Sequence, residues 1–194
     1  RFAASTKAMG RPRACLNAAV PVYALNDRKP SIHPTAFVHP DAVLIGEVVL
    51  GAESSVWPSA VIRADNGPIT IGARTSIQDG AIIHIAAGKP TSIGSDCVIG
   101  HLVHIESATI EDCVLVGSGS TVLEDAVLRT VSFVAAGALV RPRMEVPSGA
   151  MAMGVPATLR LDSVKAEMIL GNAASYVRHV HEYHDELRVI SLDD

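Results

Sequence analysis

The sequence predicts an all-β solenoid: a left-handed parallel β-helix of hexapeptide repeats with a C-terminal α-helix. Two observations predict it, a six-residue period between Ile32 and Val140 and an apolar stripe at helical spacing near the C-terminus. The predicted boundaries are a basic N-terminal extension at 1–30, the β-helix at 31–143, a connector at 144–161 and the helix at 162–190.

The six-residue period is carried by ten hexads that share one pattern. Each begins with an aliphatic residue, a glycine or polar residue often follows, and the fifth place is usually small. A triangular coil of three short strands needs this pattern, because the aliphatic residue fills the interior and the small one fits near a corner. The hexads are LGAESS from Leu50, VWPSAV from Val56, IGARTS from Ile71, IQDGAI from Ile77, IGSDCV from Ile93, IGHLVH from Ile99, VGSGST from Val116, VLEDAV from Val122, LRTVSF from Leu128 and VAAGAL from Val134.

The period is interrupted in three places. Three extra residues lie between Ile62 and Ile71, four lie between Ile83 and Ile93, and one residue is missing between Ile105 and Ile110. Interruptions of a solenoid form loops on one face, and functional residues concentrate on loops. We therefore expect the site near these interruptions.

The C-terminal helix is predicted to begin at Asp162, after a Pro/Gly-rich connector, with Asp162 or Ser163 as its N-cap. Its apolar stripe should pack along the prism or on a neighbouring subunit. The stripe consists of Val164, Met168, Ile169, Tyr176, Val177, Val180 and Leu187.

Equivalent positions on adjacent coils follow from counting three hexads plus any extra residues. The count aligns Ile62, Ile83 and Ile105, so the residues after them should stack as well. It also places Gln78 beside Gly100, with Asp79 and His101 one step further along. We therefore expect seven polar side chains to converge on one side of the prism: Arg63, Asp65, Gln78, Asp79, His84, His101 and Glu106.

Imidazoles and a carboxylate at such a place are usual zinc ligands, and a catalytic zinc keeps one position open for water. Arg63 with a carboxylate partner could hold a small oxyanion. His104 is a weaker candidate. It lies two residues before Glu106, and this shift should move its side chain to a different point of the coil. The histidines His33, His39, His179, His181 and His184 are expected on solvated surfaces.

Composition excludes several classes of function. The net charge of −4 argues against nucleic-acid binding, which normally needs a surface rich in lysine and arginine. Cys15, Cys97 and Cys113 are an odd, scattered set, which argues against a disulfide framework and for a reducing compartment. The sequence has no run of about 20 apolar residues, so it predicts no transmembrane segment.

The first 26 residues contain no acidic side chain but carry Arg1, Lys7, Arg11 and Arg13 amid alanine, serine and threonine. This composition is typical of an organelle transit peptide or what remains of one, and it also fits an ordinary basic tail.

Several of these elements together resemble the gamma-class carbonic anhydrases, and above all the carbonic-anhydrase-like subunits of mitochondrial respiratory complex I. The likeness covers about residues 31 to 190 and rests on "VIRADNGPITIG", "TSIQDGAIIHIA", "SIGSDCVIGHLVHIESATIEDC", "PSGAMAMGVPA" and "SYVRH". The resemblance implies a trimer whose metal sites lie at subunit interfaces. It makes His84 the first ligand and His101 the ligand given to a neighbour, and it assigns Arg63, Asp65, Gln78, Asp79 and Tyr176 to the family's polar site residues.

The third ligand of the family is a histidine five places after His101, where this chain has Glu106. The resemblance therefore implies a structural subunit of mitochondrial NADH dehydrogenase on the matrix side, assembled with homologous subunits and with membrane-arm subunits, whose own zinc site is degenerate. The alternative is an active carbonic anhydrase with Glu106 as third zinc ligand. Hexapeptide-repeat acyltransferases share the fold and form a third class.

Overall fold

The computed structural model describes residues 20–190, and the basic residues of the predicted transit peptide lie outside this range. Twenty strands and one helix follow in chain order: β1 Val22–Tyr23, β2 Ser31–Ile32, β3 Phe37–Val38, β4 Val43–Leu50, β5 Ser55–Val56, β6 Val61–Ile71, β7 Ser76–Ile77, β8 Ile82–His84, β9 Thr91–Ile93, β10 Val98–Ile99, β11 His104–Glu106, β12 Thr109–Ile110, β13 Leu115–Val116, β14 Thr121–Val122, β15 Val127–Leu128, β16 Phe133–Val134, β17 Leu139–Val140, β18 Glu145–Val146, β19 Met151–Met153, β20 Thr158–Arg160 and α1 Ala166–Glu186.

The strands form the three faces of a triangular prism of about seven coils, which confirms the predicted solenoid. The first face contains β1, β8, β11, β14 and β17, the second contains β2, β9, β12, β15 and β18, and the third contains β3, β5, β7, β10, β13, β16 and β19. The long strands β4 and β6 turn from the first face into the second. Neighbouring coils pair in parallel, whereas β19 and β20 pair antiparallel.

The core is a column of aliphatic side chains inside the prism. Most of the short strands bury an aliphatic residue, as the hexad pattern predicts, and Ile62, Ile83 and Ile105 are fully buried. The register pairs Ile62 with Ile83 and Ile83 with Ile105, so the predicted stacking is confirmed. Side chains alternate across a strand, so the residues beside these isoleucines point outward.

Three predicted boundaries differ from the structure. The predicted connector at 144–161 contains β18 and β19, which pair with β15 and β16, so the prism extends beyond residue 143. The predicted extension at 1–30 contains β1, which pairs with β4 through Val22 and Leu44, so the prism begins before residue 31. The helix begins at Ala166 rather than Asp162, and no side chain caps it. Asp162 has a φ of 51°, and the N–H groups of Ser163 and Val164 donate to the Gly149 carbonyl instead.

The helix α1 lies along the third face. Ile169, Ala173 and Val180 are its buried residues, while Met168 is 46% exposed, so the predicted stripe is narrower in the structure. Within residues 20–190, no helix is both long and apolar enough to cross a membrane.

Candidate functional site

A chain of charged side chains occupies one end of the first face, and we call Arg63, Asp65, His84 and Glu106 the His84 cluster. Neighbouring strands place Arg63 beside His84 and His84 beside Glu106. His84 Nδ1 lies 3.1 Å from both carboxylate oxygens of Glu106, and its Nε2 lies 3.1 Å from Asp65 Oδ1. Arg63 donates to the other oxygen of Asp65. Both ring nitrogens of His84 therefore face a carboxylate.

The interruptions of the repeat explain where this cluster lies. The extra residues after Ile62 and after Ile83, and the missing residue after Ile105, all fall at the corner between the first and second faces. Asp65 belongs to the first of these insertions, through which β6 continues without a break. The interruptions of the repeat therefore lie beside this cluster, at the corner where the site is expected.

Burial and charge act in opposite directions on Asp65. Burial alone would raise the pKa of its carboxyl, but the hydrogen bond to His84 and the charges of Arg63 and His84 outweigh burial. The net result is a pKa below the ordinary value of an aspartate. Asp65 is therefore an anion at neutral pH.

His104 joins the same end of the first face. Its Nε2 lies 3.6 Å from Glu106 Oε2. His104 pairs with Ile82 and not with His84, so it lies at a different point of the coil, as expected. It still lies near Glu106, because residues two apart on a strand share a face. The period of two along β11 is the signal that would have found it.

Asp79, His101 and Tyr176 form a second group, the His101 cluster, at the corner between the third and first faces. His101 Nδ1 lies 3.0 Å from Asp79 Oδ2, and both side chains are about half exposed, at 50% and 49%. The neighbouring Gln78 is buried, at 4% exposure. An imidazole held through one nitrogen by a carboxylate has its other nitrogen fixed in direction.

A cleft of about 360 Å³ opens between this corner and α1. Tyr176 packs edge-on against Trp57, with ring centroids 5.8 Å apart, and Tyr183 does so at 5.0 Å. Burial and the nearby Asp79 raise the pKa of Tyr176, so its hydroxyl stays protonated at neutral pH. Trp57 is not among the predicted site residues, although a tryptophan at the second place of a hexad, where glycine is frequent, is an available signal.

The two clusters occupy opposite ends of the same strands. The strands of the first face are short, and three residues span about 10 Å. The predicted convergence of all seven polar residues is therefore wrong for a single chain: Arg63, Asp65, His84 and Glu106 meet, while Asp79 and His101 lie at the other end with Gln78 beside them.

A zinc sphere does not form within one chain. Among the described residues, no three histidine, cysteine, aspartate or glutamate side chains are placed to hold an ion together. His84 offers no unpaired ring nitrogen, because Asp65 and Glu106 face both. The described donors of one chain therefore do not by themselves complete the interfacial site that the resemblance implies, which takes a further ligand from a neighbouring subunit.

The fold and the outward polar ladder define a hexapeptide-repeat β-helix protein. The chain is 36% identical over 179 residues to gamma carbonic anhydrase 1, mitochondrial, from Arabidopsis thaliana. The aligned residues cover 86% of this chain and 65% of that protein. It is 38% identical over 135 residues to carnitine operon protein CaiE from Escherichia coli, covering 70% of this chain and 69% of that one. A Bacillus cereus crystal structure that carries an acetyltransferase name matches with a TM-score of 0.83 and 30% identity, over 86% of this chain and 98% of that chain.

The chain belongs to the family of hexapeptide-repeat proteins that includes the gamma-class carbonic anhydrases. It spans just under two thirds of the length of the Arabidopsis relative. No protein-family model matches the chain.

Proposed function

We propose that this chain is a gamma-carbonic-anhydrase-like structural subunit of a mitochondrial NADH dehydrogenase, part of a matrix-side trimer, with a degenerate metal site of its own. The observation that carries the proposal is the state of His84, whose ring nitrogens both face carboxylates. Glu106 stands where the family has a histidine ligand, and its carboxylate contacts Nδ1 of His84. That nitrogen is therefore not free to bind a metal. A relative named as mitochondrial and the acid-free basic segment at the N-terminus support the location.

The first face, which no helix of residues 20–190 covers, supports a trimer. The helix α1 covers the third face, whereas outward residues of the first face include Ile82, which is 39% exposed, and Leu102 at its edge, which is 71% exposed. Apolar side chains in such a position favour burial against another subunit. A closed threefold arrangement could bring the His101 corner of one subunit to the His84 corner of the next, in a homotrimer or a heterotrimer with homologous subunits.

The assembly role is tested in the source cells with a tagged full-length chain. Native gel electrophoresis of solubilised membranes should place the tag with NADH dehydrogenase activity, and removal of the gene should lower the amount of assembled enzyme. A tag found only in a free trimer, with normal enzyme in the deletion strain, would contradict the proposal.

An active carbonic anhydrase is the second candidate, and the Asp79–His101 pair favours it. A carboxylate that holds one nitrogen of a histidine is a usual support for a metal ligand. Stopped-flow measurement of carbon dioxide hydration by the purified oligomer separates the candidates. The structural proposal expects the rate of buffer alone, and a rate well above it would support the enzyme.

A further inference from the structure

The C-terminal end of the prism combines exposed aliphatic side chains with unpaired cations. We call it the basic end, and it consists of Arg141, Arg143, Met153, Val155, Leu159, Arg160, Leu161 and Lys165. The residues come from the corner after β17, from the end of β19 and from the segment that follows it and contains β20. They lie apart from both polar clusters described above.

The segment after β19 covers the last coil of the prism, with its small Ala157 facing the core and its larger aliphatic side chains facing solvent. Ala157 closes the core and is 3% exposed, whereas Val155 is 70% and Leu161 62% exposed. The backbone of this cap is fixed, because Ala157 N–H donates to the Leu139 carbonyl and β20 pairs with β19. The large apolar side chains are therefore presented to solvent by an ordered segment.

Within residues 20–190, the cations of the basic end have no acidic partners. Arg74, Lys89 and Arg129 on the sides of the prism each pair with carboxylates. Within residues 20–190, none of the four cations of the basic end lies within 4.0 Å of one. Two nearby acidic residues are already paired, Glu145 with Arg129 and Glu124, in the coil below Arg143, with Lys89. Asp162 and Glu167 are the other acidic residues near these cations in sequence. The positive charge is local, since the whole chain has a net charge of −4.

We propose that the basic end docks on an anionic lipid surface. Exposed aliphatic side chains insert between headgroups, and arginines pair with lipid phosphates. A lipid surface fits better than a protein partner because the basic end has no aromatic residue, the type that usually anchors protein interfaces. In a rotationally symmetric trimer three such ends face the same side, so their binding would add through avidity.

The test is co-sedimentation of the full chain with phosphatidylcholine vesicles, with and without about one third phosphatidylglycerol. We expect binding to the anionic vesicles that weakens as salt rises. Each cation near such a surface contributes about five-fold, so Arg141→Gln with Arg143→Gln should lower the partition coefficient about 25-fold. The matched control, Lys29→Gln with Arg178→Gln, removes two exposed charges elsewhere and should leave binding unchanged.

A second variant tests the apolar part. Val155→Ser with Leu161→Ser should weaken the binding that persists at high salt, and circular dichroism checks that each variant is folded. Absence of binding by the unmodified chain, or an equal loss in the control pair, would overturn the proposal. So would a variant of the basic end that loses a protein partner but keeps its vesicle binding. None of these results depends on metal content or on assembly with NADH dehydrogenase.

Discussion

At the residue scale, His84 and His101 show how surroundings decide what an imidazole can do. His84 lies between two carboxylates, so both of its nitrogens are engaged within the chain. His101 is held by Asp79 alone through Nδ1. The second nitrogen of His101 is therefore the one available to another subunit, whereas His84 becomes available only if Asp65 or Glu106 withdraws.

Glu111 gives a test of electrostatics away from the site. The Arg129 side chain and the Thr130 N–H, both hydrogen-bonded to Glu111, hold its pKa below the ordinary value. A lowered folded-state pKa stabilises the fold above the unfolded pKa of about 4.3, and this stabilisation is lost as the pH falls through the folded-state pKa.

Glu111→Gln should therefore lower the free energy of unfolding at pH 7 by about 1 kcal/mol, since the carboxylate is partly exposed. Urea titrations from pH 7 to pH 3 measure the free energy of unfolding of both proteins. The difference in this free energy should be constant above about pH 5 and should shrink below about pH 4. A difference that grows on acidification would contradict this assignment.

Residue register could be predicted from the sequence, because each coil adds a fixed number of residues. The alignment of Arg63, His84 and Glu106 follows from that count alone. The count does not say at which corner a side chain lies, and for that reason Asp79 and His101 were expected beside His84. Corner positions depend on where each strand turns, which the hexad pattern marks only loosely.

At the element scale, the hexad glycines allow the coils to stack closely. A Cβ built on Gly72 would lie 2.5 Å from the backbone of Gly94 in the next coil. Gly171 in α1 has nothing within 4 Å of such a Cβ.

Gly72→Ala should therefore destabilise the protein by about 1–3 kcal/mol through overpacking. The matched control Gly171→Ala should stabilise it by up to about 1 kcal/mol, because alanine favours a helix. Thermal unfolding of both variants measures the two changes in stability. Equal effects of the two substitutions would contradict the close stacking of the coils.

The helix α1 shields one of the two described thiols. Cys113 Sγ lies 3.9 Å from the Ala166 carbonyl, and burial raises its pKa. Cys97 is inside the prism, where burial raises its pKa to about 12.

Ile169→Ala removes a buried contact of α1 worth at least about 2 kcal/mol, so labelling of Cys113 should accelerate about 30-fold or more. Cys97 should remain unlabelled over the same period. The experiment uses Cys15→Ser as background and a thiol reagent followed by peptide mass spectrometry. Parallel acceleration at Cys97 would mean that the prism opens as well, against this account.

The start of α1 shows what the sequence could not predict at this scale. Asp162 and Ser163 have the chemistry of an N-cap, but the chain must first cross beneath the last coil. Pairing of Ser163 and Val164 with the Gly149 carbonyl delays the helix by one turn. A tertiary contact thus overrides a local signal.

At the scale of the whole molecule, the three faces have different roles. The third face holds α1, the second is mainly polar on its outer side, and the first is apolar between two polar clusters. This division suits a chain that associates through one face. The six-residue period predicts the prism, but it cannot predict association, because partner subunits leave no mark on the period.

We propose that Glu106, in the place of the family's histidine ligand, turns a metal site into a network of hydrogen bonds around His84. The most direct test is the zinc content per chain, by mass spectrometry after mild chelation, of the purified oligomer and of its Glu106→His variant. The account predicts far less than one ion per chain in the unmodified protein and a clear rise in the variant, which regains a third imidazole donor. One tightly held zinc per chain in the unmodified protein would contradict it and make Glu106 a working ligand.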